Sequence, residues 1–235
     1  GGSGSDAFNI GGLDSPQRAT AGQYVGIAAG DGIDTFNLNG AFVRLEFFGF
    51  AGANVNLATG TIANDSWNNS ETINGTVSEL RGTDLSDRLI GSANDESFIG
   101  QAGNDLLDGA GGFDRLRYDR NGAEVVTVDL LNSVATGFWN RVAFSDTVEN
   151  FEWVSGTFLG SDRLLANGEN NLLEGLGGND TILARGGDDT AEGGTGADSI
   201  DGGAGNDLIF GGGFFDTING GDGNDTVEGG NGADL

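Results

Sequence analysis

The stretch GGAGNDLIFGGGFFDTINGGDGNDTVE, residues 202–228, is three variants of one nine-residue phrase, and that period decides how the rest of the chain is read. Working outward in the same register, units begin at Thr157, Ala166, Gly175, Ala184, Gly193, Gly202, Gly211 and Gly220, with a truncated ninth at Gly229 and no gap between them. A second block, GTDLSDRLI, GSANDESFI, GQAGNDLLD and GAGGFDRLR, runs from Gly82 to Arg117, and isolated copies stand at Gly1 (GGSGSDAFN) and Ala29 (AGDGIDTFN). The eighth place is apolar throughout: Phe8, Phe36, Leu89, Phe98, Leu107, Leu116, Leu164, Leu173, Ile182, Ile200, Ile209, Ile218 and Val227, with Ala191 the weak member. The sixth place is acidic in nearly every copy. Each unit therefore reads as a short strand that puts one aliphatic side chain inside, joined to the next by a glycine-rich turn carrying a carboxylate. Two units facing one another make a coil of eighteen residues, and stacked coils bury their aliphatic ladders against each other.

Composition says what such a stack has to solve. The 235 residues include 46 glycines and carry 36 acidic against 10 basic side chains, a formal charge of −26, so a cationic component is called for. Abundant glycine with high charge is also the composition of disordered chains, but the 37% hydrophobic residues recur at fixed places. All the basic residues are Arg and they are scattered, which excludes a phosphate-neutralising face and with it nucleic-acid binding. Cysteine, histidine and methionine are absent, so a bound metal should be a hard, oxygen-loving one. The sequence holds no apolar run of membrane-spanning length. Both ends lie inside the repeat, and the chain reads as a piece of a longer protein.

These units resemble the RTX, or hemolysin-type, calcium-binding nonapeptide GGxGxDxUx. The strict match covers about half the chain. The resemblance implies an all-β, right-handed parallel β-roll, a β-solenoid with Ca2+ held between turns n and n+2. In the resembling proteins the second- and fourth-place carbonyls face one neighbour, the first and third face the other, and the sixth-place Asp completes both shells. Carried onto this sequence, the metal-ligating side chains are Asp87, Glu96, Asp105 and Asp114 in the first block, and Asp162, Asn171, Asp180, Asp189, Asp198, Asp207, Asp216, Asp225 and Asp234 in the second. The turn glycines bring carbonyl oxygens inward: Gly175, Gly177 and Gly178; Gly193, Gly194 and Gly196; Gly202, Gly203 and Gly205; Gly211, Gly212 and Gly213; Gly220, Gly221 and Gly223. One ion per stacked pair gives about nine calcium ions, enough to cancel most of the charge. Glu96 and Asn171 replace the usual Asp, and Thr157, Phe158 and Phe214 replace turn residues where glycine is usual, so the two sites opening the second block are expected to be weak.

The organisation that follows is one continuous solenoid: N-terminal coils with isolated calcium-type turns over 1–81, a first calcium block over 82–117, metal-free coils over 118–156 and a second calcium block over 157–235. A larger module repeats, with Asp34 and Asp114 as equivalent points. Alternation marks strands at Val43, Leu45 and Phe47 and at Val126, Val128 and Leu130. Trp67, Trp139 and Trp153 are expected to cover the apolar interior where calcium turns are missing, with sugar stacking the alternative. Residues 10–28, with Pro16, read as a loop or an irregular first coil.

Catalysis is not expected. The acids outside the repeat, among them Glu46, Asp65, Glu71, Asp119, Glu124, Asp146, Glu149 and Glu152, form no recognisable pair, and no glycine run ends in the Lys-Ser/Thr of a phosphate-binding loop. Three roles fit a calcium roll. The first is a structural and secretion module that crosses the type I secretion machinery unfolded and folds outside the cell. The second is a surface adhesin or filament repeat that binds other copies of itself. The third is an accessory module contacting surface glycans beside a polysaccharide-acting enzyme. All three place it outside the cell or on its surface.

Overall fold

The computed structural model of the chain describes residues 7–11, 25–26, 35–39, 43–47, 52–64 and 70–235. Pro16, Trp67 and the turns carrying Asp6 and Asp34 lie outside the described residues. Every regular element among the described residues is a strand, and the chain divides into two units, Gly1–Asp114 and Arg115–Leu235.

In Arg115–Leu235 the repeat sorts itself into two parallel ladders. Alternate units pair: Arg163–Leu165, Thr181–Leu183, Ser199–Asp201 and Thr217–Asn219 form one ladder, with Leu164, Ile182, Ile200 and Ile218 in register. The units between them form the other, where Leu173, Ala191, Ile209 and Val227 align. The step between partners is eighteen residues, two nonapeptides per coil. In Gly1–Asp114 the same step pairs Leu89 with Leu107 and Leu80 with Phe98, and Leu45 lies beside Leu80. The chain is thus an all-β parallel β-roll.

Period-two strands of three residues put one side chain inside, and the eighth place is that side chain. Leu89, Phe98, Leu107, Leu116, Leu164, Leu173, Ile182 and Ile209 are wholly buried. Each such burial contributes about 1.5–3 kcal/mol, repeated rung by rung. Val43, Leu45 and Phe47 are buried as their alternation requires, and Arg44 and Glu46 on the other face pair with Glu79 and Arg81.

Between the repeat blocks the backbone does something that alternation alone does not announce. Asn54–Asn56, Thr61–Asn64 and Glu71–Asn74 form an antiparallel meander, and so do Ala123–Asp129, Val134–Trp139 and Val142–Glu149. The second meander turns tightly at Asn140–Arg141, both at positive φ (49° and 66°), a two-residue hairpin loop of the primed kind. In both meanders the first strand pairs in parallel with the opening strand of a repeat block, Val55 beside Leu89 and Val128 beside Leu164. Trp139 is buried at 2% exposure, and Trp153 lies under the Arg115 guanidinium, 4.0 Å from ring centroid to Cζ, with its Nε1 donating to Glu174.

Candidate metal-binding ladder

The strands deliver the sixth-place side chains to one position per turn, and the structure links them vertically. The backbone N–H of each sixth residue donates to Oδ1 of the sixth residue eighteen positions later. Asp87 donates to Asp105 (2.9 Å) and Glu96 to Asp114 (2.7 Å). In the second block Asp162 donates to Asp180, Asn171 to Asp189, Asp180 to Asp198, Asp189 to Asp207, Asp198 to Asp216, Asp207 to Asp225 and Asp216 to Asp234, at 2.6–3.1 Å. All thirteen sixth-place residues named from the sequence therefore stand in stacked pairs two units apart. Most of them, Asp87 to Asp216, are 0–4% exposed.

The other carboxylate oxygen is where the chemistry lies. Oδ2 of Asp180, Asp189, Asp198, Asp207 and Asp216 is buried and accepts no hydrogen bond. In the turns of Asp180, Asp198, Asp207 and Asp216 it sits over the bare Cα of the turn's own first-place glycine, and the first-place carbonyl of the turn two units on comes to the same spot. A Cβ on Gly211 would lie 2.6 Å from Asp216 Oδ2 and 2.5 Å from the Gly229 oxygen; Gly175, Gly193 and Gly202 are boxed in likewise. Second- and fourth-place carbonyls point the other way. Leu176 O lies against Gly194 and Gly178 O against Gly196, and the same pairs recur at Arg185 with Gly203 and Gly205 with Gly223. The turns manage this by taking positive φ at the second place, even where it is Gln101 (76°), Leu176 (71°) or Arg185 (72°), and at the fourth, as at Gly196 (144°) and Phe214 (83°).

Such a gap gathers oxygens from backbone carbonyls and a carboxylate, and among the described residues no cluster of three or more acidic side chains is found. Burial pushes Asp180 and Asp189 up to about 7, with neighbouring carboxylates adding to it, and raises Asp198 for the same reasons. A buried anionic oxygen with no donor is costly. A hard dication taking six to eight oxygens would remove that cost, so the residues present fit Ca2+. A family model for the RTX calcium-binding nonapeptide repeat matches the chain in four copies, over residues 81–116, 157–191, 183–218 and 207–235. The chain belongs to the RTX repeat family. No curated protein gave a match. RTX repeats are calcium-binding β-roll modules, structural rather than catalytic.

Four of the described RTX turns are built differently, and they are the first two of each block. Their second-place residue is Thr83, Ser92, Thr157 or Asn167, none of which takes positive φ. In each, the second-place N–H donates to the sixth-place side chain: Thr83 to Asp87 Oδ2 (2.7 Å), Ser92 to Glu96 Oε2 (3.0 Å), Thr157 to Asp162 Oδ2 (2.5 Å) and Asn167 to Asn171 Oδ1 (3.3 Å). In each, the second-place side-chain oxygen accepts a backbone N–H from Leu85, Asn94, Gly160 or Glu169, closing the turn on itself. The three hydroxyls also donate to the sixth-place carboxylates of Asp87, Glu96 and Asp162. The upstream oxygen is taken as well: Ala53 N–H, just before the first strand of its meander, donates to Asp87 Oδ1, and Val126 N–H, within the first strand of the other, to Asp162 Oδ1. Burial still raises Asp87 to about 6, these hydrogen bonds acting against it.

Two features of the site escaped the nonapeptide count. The turn before Asp162 begins at Gly156, not Thr157: Gly156 N donates to Glu174 O as Gly175 N does to Glu192 O, and the Gly156 Cα faces Asp162 Oδ2. This turn carries one extra residue, and Thr157 stands where Thr83 stands in the other block. The fifth place, moreover, forms a second, exposed ladder running in the opposite sense. Asn206 N donates to Asp188 Oδ1, Asn224 N to Asn206 Oδ1 and Ala197 N to Asn179 Oδ1. The recurrent Asn before Asp was the signal for it.

Proposed function

We propose that this RTX roll folds on binding calcium outside the cell, as a structural and secretion module of a larger secreted or surface protein. The observation that carries the proposal is the row of buried Oδ2 atoms from Asp180 to Asp216 without a hydrogen-bond donor. Asp180, Asp189, Asp198, Asp207, Asp216, Asp225 and Asp234 would hold the ions with the turn carbonyls of Gly175 to Gly223. Calcium supplies positive charge at anionic oxygens that the fold buries. At a formal charge of −26, self-repulsion opposes the stack until cations arrive. Weak sites, with Kd of about 10⁻⁴ to 10⁻³ M, suit an extracellular medium and leave the chain unfolded in a low-calcium interior, as passage through a type I secretion channel requires.

A filament or adhesin repeat is the second reading, favoured by the recurrence of a meander that hands its first strand to a repeat block. Sugar stacking has less support, since Trp139 is buried and Trp153 is engaged by Arg115 and Glu174. The test is far-ultraviolet circular dichroism of the full chain with calcium and with excess chelator: the β signal is expected to fall on chelation, and an unchanged spectrum refutes calcium-dependent folding.

A further inference from the structure

The closed and open turns differ in whether a carboxylate oxygen is left for a cation. We propose that the four closed turns are built-in caps, in which a second-place hydroxyl or amide and its N–H occupy the sixth-place side chain in place of an ion, so that calcium binds only between open turns. This inference rests on the calcium reading above and restricts it. A closed turn offers no second anionic oxygen: Asp87 and Asp162 have both carboxylate oxygens bonded, and Asn171 carries no charge. Every stacked pair in the first block, Asp87 with Asp105 and Glu96 with Asp114, includes a closed turn. So do the two opening pairs of the second block. That leaves the five gaps from Asp180/Asp198 to Asp216/Asp234, each between two open turns.

The physical logic is that of a boundary. An interior carboxylate faces a turn on both sides, whereas the first has a meander strand upstream. Ala53 and Val126 bring an N–H there, and an N–H satisfies a carboxylate without adding net charge to a site that lacks half its oxygens. Thr83 and Thr157 do the same from within the turn. The first block is then calcium-independent and the second calcium-dependent.

The test is the number of ions bound by the full chain at saturating calcium, from equilibrium dialysis with atomic emission, together with Asp105→Asn and Asp198→Asn. Asparagine keeps Oδ1 as an acceptor for the N–H two units upstream. One to five ions on the unmodified chain supports the proposal, and six or more overturns it. A count of zero refutes the calcium reading itself. Asp105→Asn is expected to leave the count unchanged and Asp198→Asn to lower it; loss of an ion in the former, or none in the latter, overturns the assignment. Should either variant fail to fold, the count on the unmodified chain decides.

Discussion

Thr83 and Gly194 occupy the same second place of the same nonapeptide, yet one makes its turn self-sufficient and the other makes it incomplete. Around Thr83, backbone and hydroxyl donors converge on Asp87. Around Gly194, at φ 102°, the backbone turns its donors away and Asp198 Oδ2 is buried with none. A single side chain, by choosing the sign of φ, decides whether a turn is closed by hydrogen bonds or waits for a cation.

The sharpest way to break this comparison is to withdraw calcium and follow amide exchange by mass spectrometry. Protection is expected to collapse over residues 175–235 and to persist at Arg88–Ile90 and Leu106–Asp108; uniform loss would erase the distinction. Acid should act in the opposite direction to chelator. Asp180 and Asp189 sit at about 7 when folded without metal, against the usual 3.8. Their protonated forms therefore favour the metal-free fold fully below about 4, and this contribution is lost as pH rises through 7. In excess chelator, lowering the pH from about 8 to about 4 is expected to restore β signal, as circular dichroism would show.

Smaller effects probe single turns. Gly196→Ala should cost about 2 kcal/mol or more in calcium, because φ is 144° and the new Cβ meets the Gly178 carbonyl; denaturant titration measures it. Phe214→Gly should stabilise by about 1 kcal/mol by relieving positive φ at a non-glycine residue. Gly168→Ala, in a closed turn with nothing within 4 Å of the added methyl, should change stability by less than about 0.5 kcal/mol. A large loss at Gly168 would mean that closed turns are as tightly stacked as open ones.

How much of this could be read from the residues varies with the physics behind each element. The two ladders were legible because a period of nine with one apolar place fixes strand, face and partner together: Leu164, Ile182 and Ile200 could stack only at eighteen-residue steps. The meanders were not. Val126 and Val128 alternate in the same way whether their neighbour runs parallel or antiparallel, and the deciding turn, Asn140–Arg141, lacks the usual glycine. At Gly156 the count misled, since Thr157 keeps the nine-residue spacing while it is the Cα of Gly156 that faces Asp162 Oδ2. Thr83, Ser92 and Asn167 depart from a glycine motif. Their liking for side-chain-closed turns carried the opposite message and was there to be used.

The fixed eighteen-residue step also sets which changes of length this chain can absorb. Inserting or deleting eighteen residues within the second block adds or removes one coil and leaves every downstream pairing as it was. A change of nine moves every following strand to the opposite sheet, setting Ala191-type rungs where Ile182-type rungs had been. A single-residue change would rotate the whole downstream face out of the interior unless a turn absorbed it. The extra residue between Gly156 and Asp162 sits where a meander meets the ladder. Growth and shrinkage of the roll should therefore come in whole coils, with irregular lengths confined to the seams.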